Sequence, residues 1–241
     1  MIMSKTFLVK VGGDYACFTN PNLKVERVSY PAITPGAARG LLEAIFWKPA
    51  FRWEIRSITI LKPIKTLNVM RNEIEIRQDK KPILVEEKRQ QRISLILKDV
   101  QYVIEAEMAL IWKHERIEKY NCQFQRKLER GACHHTPYLG TREFAAWFEP
   151  ATGSETPEIA INSQYLGVIL FDTAYVKSED RTDMRFLRHD HTTAENKQQI
   201  QPEIQKGYQH YLFFPASIEN NKIIVPRERY HELYELEGLN V

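Results

Sequence analysis

Three cysteines in 241 residues, Cys17, Cys122 and Cys133, are too few and too odd in number for a disulfide framework. Their spacing is not that of a metal site either. No apolar run approaches the roughly 20 residues of a membrane-spanning helix, and no secretory signal peptide is read at the N-terminus. A reducing cytoplasm is therefore the expected compartment, with no membrane partner. An excess of one charge is also missing: the formal net charge is +3, so net charge alone does not indicate a nucleic-acid partner. No internal repeat of fixed period is found. Against these absences, 43% hydrophobic residues supply a real core for one large domain or two modest ones.

The cations are unevenly spread. Lys and Arg gather at 48–71, 77–92 and 113–130, whereas the segment after Tyr230 is acidic, a pattern that favours one basic face. Phe7 to Val11 alternates as a strand that Gly12-Gly13 ends or bulges, and Lys24 to Tyr30 is a second extended piece. Thr34 followed by Pro35 starts a helix over 35–47, which Pro49 stops. Ser57 to Ile64 and Leu67 to Ile76 read as strands, 77–92 as an exposed basic excursion. Ile93 to Leu97 and Val100 to Trp112 read as a hairpin around Lys98-Asp99. Glu115 to Arg130 is an amphipathic helix ending at Gly131, and Arg142 to Phe148 returns as a strand. This order predicts an α+β fold: a ferredoxin-like or RRM-like domain over 1–149 with an inserted β-hairpin. A small antiparallel β domain follows over 150–241, with strands at 167–175, 208–218 and 222–226. Between them Lys177 to Lys206, poor in apolar residues, reads as a long mobile loop.

Lys113-His114 falls where a strand passes into a helix. Cleavage of RNA without metal needs proton transfer at the 2′-hydroxyl and at the 5′-oxygen, with positive charge beside the phosphorane. Imidazole and ammonium groups supply these. Neighbouring side chains of a strand point apart, so both can serve one phosphate only if the junction bends. His134 and His135 precede a turn at Pro137 to Gly140; either one orders the loop while the other faces solvent, or one contacts RNA or supplies a catalytic group. Arg142 clamps a phosphate or pairs with Glu143. Arg39, Lys48, Arg52, Arg56 and Arg71 form surface ion pairs or, with Trp47, Phe51 and Trp53 interleaved, hold RNA by stacking and phosphate contact. Arg126 and Arg130 lie on the polar face of the second helix. His189-Asp190-His191 has the alternation of a metal site, but the surrounding segment reads as a solvated loop, so no metal is expected.

Two stretches, Thr34 to Pro49 (TPGAARGLLEAIFWKP) and Gly131 to Phe144 (GACHHTPYLGTREF), resemble the CRISPR-associated RAMP superfamily, specifically its fifth Cas family in the subtype I-C branch. The resemblance runs through most of the chain. It implies an endoribonuclease that cuts the CRISPR precursor transcript at the repeat hairpin, without metal or cofactor, leaving a 2′,3′-cyclic phosphate and a 5′-hydroxyl. It also implies an active site made of a Lys-His pair after the central hairpin and an aromatic hydroxyl from the first helix. Lys113 and His114 match the pair. Phe46 stands at the helix position and has no hydroxyl, so it is either a positioning wall or plain helix core. The implied partners are the precursor and mature guide RNA and the other subunits of the subtype I-C interference complex, with DNA contact a further expectation. The alternative is a noncatalytic scaffold that caps the 5′ handle of the guide.

Overall fold

The computed structural model describes residues 5–74, 82–112, 114–189 and 202–239. The first strand, β1 (Phe7–Ala16), buries Phe7, Val9 and Val11 on one face and runs straight through Gly12-Gly13. A Cβ on Gly12 would stand 2.5 Å from the Trp147 ring, so these glycines serve close packing rather than ending the strand. Lys24 to Tyr30, expected as extended, is mostly turn, with bridges at Val28 and Ser29.

Helix α1 (Pro35–Ile45) starts as its sequence dictates: the Thr34 hydroxyl accepts from the Ala37 N–H at 3.3 Å, and Pro35 occupies the first turn. It ends before the expected residue 47, because Phe46 leaves helical geometry with its ring turned into the core. Strand β2 (Phe51–Ile60) begins six residues ahead of the expected one, with Phe51, Trp53 and Ile55 buried. Its arginines alternate with them and are tolerated because each has a carboxylate partner, as described below.

Strands β3 (Lys65–Ile74) and β4 (Arg89–Leu110), the latter preceded by the single turn α2 (Val85–Lys88), correct the expected hairpin around Lys98-Asp99. β4 is one 22-residue strand. Asp99 does adopt a left-handed φ of 55°, but its carboxylate is held by Lys62 at 2.6 Å and Lys65 at 3.5 Å, which makes it a kink within the strand. There β4 exchanges one partner for another: it pairs with β3 up to Lys98 and with β2 from Tyr102 onward. Residues 75–81, which hold the end of the expected strand 67–76 and the start of the expected basic excursion 77–92, lie outside the described residues; most of the rest of the excursion forms α2 and the start of β4.

Helix α3 (Ile117–Glu129) buries Ile117, Tyr120, Phe124 and Leu128, the face its periodicity predicts. The strand expected at 142–148 is instead a turn at Thr141 to Phe144 followed by the short β5 (Trp147–Pro150). Gly140 in that loop has φ +86°, and a Cβ there would lie 2.0 Å from the Cys17 carbonyl oxygen. Gly140→Ala is therefore expected to cost about 3 kcal/mol or more, combining a left-handed backbone with a backbone clash. A urea midpoint unchanged from the parent protein would refute this.

Strands β6 (Ser163–Lys177), β7 (Met184–His189), β8 (Pro202–Glu219) and β9 (Lys222–Ile224) follow, then helix α4 (Glu228–Glu237). β7 and the first part of β8 correct the long loop expected at 177–206. They pair from Met184↔Gly207 to His189↔Pro202, and the Phe186 ring packs on Tyr175 at 5.7 Å. Sparse apolar residues suffice here because the ribbon leans on an existing strand. Residues 190–201 lie outside the described set. The turn expected at Glu219-Asn220-Asn221 is present, with both asparagines at positive φ.

The described strands form a mostly antiparallel sheet of order β5-β1-β4-β2-β9-β8-β6, with β3 attached to β4 and β7 to β8. β9 is the seam: it pairs with β2 on one side and with β8 on the other. α1 packs on β2 and β6, α3 on β4 and β5, and α4 on β6. One apolar cluster extends from Phe7, Trp53 and Phe124 to Phe171, Phe214 and Tyr230. The architecture is α+β.

Candidate functional site

The junction between β4 and α3 is stapled to the chain that enters β2. The N–H groups of Ile111 and Trp112 both donate to the Ala50 carbonyl, at 2.8 and 3.1 Å, and the Glu115 N–H returns to the Trp112 carbonyl at 3.0 Å. The strand therefore does bend at this point. Trp112 is buried, and the exposed His114 ring lies nearly parallel to it, 5.9 Å away at 17°. A rigid apolar plate thus sets the orientation of a solvent-facing imidazole. Lys113 lies outside the described residues. A hydroxyl that sequence reasoning missed stands six residues on: Tyr120, on the buried face of α3, is hydrogen-bonded to Glu115. Burial and the Glu115 charge push its phenol up to about 12.

Phe46 is 3% exposed. Its ring stacks on Phe51 at 5.5 Å and 26°, and its carbonyl accepts from the Trp53 indole N–H at 3.0 Å. It packs in the core at the end of α1 with no open ring face to offer a base.

His134 and His135 reach the same helix end from the other side. Their backbone N–H groups donate to the Ala44 carbonyl at 2.9 and 3.1 Å, and His134 also to Ile45 at 3.2 Å. This satisfies carbonyls that a helix terminus leaves open. Both imidazoles are exposed, and His135 lies 6.4 Å from Tyr138 at 20°. The α1 terminus and the few residues after it therefore anchor both histidine-bearing segments.

The arginines separate into two groups. Arg39 is clamped by Asp172 through Nε at 2.7 Å and a second nitrogen at 2.9 Å, and reaches Glu43 at 2.7 Å. Burial alone would favour a neutral Arg39 and a neutral Asp172. Their mutual attraction outweighs it, holding the guanidinium well above and the carboxyl below their ordinary ranges. Arg52 pairs with Glu237, Arg56 with Glu54 at 2.5 Å and Glu107 at 2.8 Å, and Arg71 with Glu143 at 2.5 Å. Glu143 is thus taken by Arg71 rather than by its neighbour Arg142. Lys48, Arg126, Arg130 and Arg142 are exposed and make no ion pair among the described residues. Sequence reasoning missed Asp172 and Glu237 as anchors. The signal for Asp172 was legible: a carboxylate directly after Ile169-Leu170-Phe171 inside an apolar strand requires a charged partner.

Among the described residues no group of three or more His, Cys, Asp or Glu is arranged to hold a metal ion. His189 ends β7, while Asp190 and His191 lie outside the described residues. No described helix is long and apolar enough to cross a membrane.

The same α+β fold recurs in solved structures. A crystal structure of a CRISPR-associated protein matches it with a TM-score of 0.62 at 18% identity, over 99% of this chain and 97% of that one. A functionally uncharacterized protein from Streptococcus mutans matches with a TM-score of 0.60 at 17% identity, over 99% and 98%. The chain belongs to the CRISPR-associated protein (Cas_Cas5) family, whose Cas5d model matches residues 6–226. It is 50% identical over 230 residues to the CRISPR pre-crRNA endoribonuclease Cas5d of Thermus thermophilus, covering 95% of each chain. It is also 40% identical over 193 residues to the protein of the same name from Mannheimia succiniciproducens, covering 70% of this chain and 85% of that one.

Proposed function

We propose that this protein is a CRISPR precursor-RNA processing endoribonuclease that binds the repeat hairpin, cuts beside it without metal, and stays on the 5′ handle in the interference complex. The observation that carries this reading is the 50% identity, across 95% of both chains, to a CRISPR pre-crRNA endoribonuclease. In the proposed reaction the 2′-oxygen attacks the adjacent phosphorus and the bond from phosphorus to the 5′-oxygen breaks. The products are a 2′,3′-cyclic phosphate and a 5′-hydroxyl. One proton leaves the 2′-hydroxyl and one reaches the 5′-oxygen; His114 carries one of these transfers, and Lys113 offsets the charge of the phosphorane. The exposed, Trp112-backed imidazole supports that role. Phe46 acts only by position, holding the end of α1 from within the core.

Lys48, Arg126, Arg130 and Arg142, together with the exposed rings of His134 and His135, are suited to RNA phosphates and bases. Arg39, Arg52, Arg56 and Arg71 shape that surface from their ion pairs. The strand order β5-β1-β4-β2, with α1 and α3 as its connecting helices, supports a ferredoxin-like or RRM-like unit over 1–149 and a small antiparallel unit over 150–241. The reading is cytoplasmic, with the other subtype I-C subunits and DNA as further partners.

The test is cleavage of labelled cognate repeat RNA in EDTA, with and without a 2′-deoxy substitution at the scissile nucleotide. Cutting in EDTA that the substitution abolishes is expected. Tight binding without cutting would make the protein a noncatalytic cap of the guide handle. Cutting only after magnesium is restored would replace the proposed chemistry.

A further inference from the structure

A cavity of about 510 Å³ opens between the end of α1, the start of β2 and the strand β7. Its size falls within the roughly 300–1,000 Å³ of sites that take a small molecule or a single chemical group of a larger one. Trp47, 42% exposed, and Leu187, 64% exposed, stand among its lining residues. The Trp47 ring is flanked by His189 at 5.2 Å and 58°. A tryptophan presented this openly inside a concave site offers a face for stacking.

The polar lining decides what can stack there. Arg39 is neutralised by Asp172 and Glu43, and Arg52 pairs with Glu237. Arg188 donates to the Glu237 and Tyr175 carbonyls, the latter at 3.0 Å. Three guanidinium groups thus line the cavity with two carboxylates, Glu43 and Glu237, while Asp172 compensates Arg39 from outside the lining; most of the positive charge is already committed, which suits an uncharged planar ring better than a phosphate. One donor is left over: Arg52 Nε is shielded from solvent and has no hydrogen-bond partner among the described residues. An unmet buried donor costs stability unless a ligand or water satisfies it. Pro49 and Ile111 also line the cavity, and Ile111 shares the Ala50 carbonyl with Trp112, on which His114 stacks. The cavity therefore adjoins the junction that carries the proposed reactive histidine.

We propose that this cavity receives the base of one unpaired nucleotide of the RNA, stacked on Trp47 and hydrogen-bonded by Arg52. RNA as the ligand rests on the reading above; the stacking site itself does not depend on cleavage. In this arrangement the C-terminal part of the chain, through β7, helps to position the nucleotide beside the site of cutting.

The experiment measures binding of the full-length protein to repeat RNA and to variants with one abasic site at each unpaired position next to the hairpin. Wild type, Trp47→Ala and Trp47→Phe are compared. One abasic position is expected to weaken wild-type binding roughly ten-fold, the range of base-on-aromatic stacking, and to have almost no further effect in Trp47→Ala. Trp47→Phe should retain most of the affinity, because an aromatic face remains. Wild-type affinity of Trp47→Ala for every RNA, or a loss that simply adds to each abasic loss, would overturn the proposal. Should wild type bind without cutting, the endoribonuclease reading fails, and the same binding comparison still decides the cavity.

Discussion

His114→Ala is expected to lower the single-turnover rate of repeat-RNA cleavage by about 10²–10⁴-fold, the usual contribution of one positioned acid or base, while RNA affinity stays near that of wild type. The split is expected from geometry. The imidazole is exposed and lies parallel to the buried Trp112 ring at 5.9 Å, so it is oriented without being part of the core. Removing it should leave the Ala50 carbonyl contacts of Ile111 and Trp112 intact and so preserve the junction. Lys113→Ala, measured beside it, should also lose cleavage through the charge it supplies. Equal loss of binding and cutting in His114→Ala would make this residue a binding group. Unchanged cutting would remove it from the mechanism altogether.

The second large effect is on stability. Asp172→Ala is expected to cost about 3 kcal/mol, because the largely buried guanidinium of Arg39 loses its bidentate partner and keeps only Glu43. The Asp172 side chain is 5% exposed and that of Arg39 16%, so solvent screens the pair little. The double variant Arg39→Met with Asp172→Leu should recover most of the loss, since the cost lies in the under-compensated buried charge rather than in the absence of the pair. Urea unfolding of both variants beside the parent protein checks this; an Asp172→Ala protein as stable as the parent would refute it. The same pair predicts an acid response. The Asp172 carboxyl is held below its ordinary range in the folded state, despite burial, by the Arg39 charge. Its contribution is therefore fully present above the unfolded value of about 3.9 and declines as pH falls through the folded value. Wild type should lose stability below about pH 4 by more than Arg39→Met/Asp172→Leu does.

Several elements were legible because their signals are local. Thr34, Pro35 and the spacing of Leu41, Leu42 and Ile45 place α1; the Ile117, Tyr120, Phe124 and Leu128 stripe places α3. Asn220-Asn221 marks the last hairpin turn by its tolerance of positive φ. Lys98-Asp99 carried a similar turn signal and misled, since a left-handed Asp can equally kink a strand when its carboxylate is tied elsewhere, here to Lys62 and Lys65. β7 escaped notice because a ribbon supported by β8 needs little hydrophobicity of its own. α4 escaped because its acidic surface hides the short buried row of Tyr230, Leu233 and Tyr234.

By itself the sequence determined the α+β class, the two principal helices and the strand-to-helix junction bearing His114, because caps, periodicity and turn chemistry act within a few residues of one another. Only the tertiary structure decided which cations are committed. Arg39 meets Asp172 across 133 residues and Arg52 meets Glu237 across 185. No local pattern encodes such pairings; they follow from the sheet closing through β9 and from the low dielectric that makes an unpaired buried charge too costly to leave.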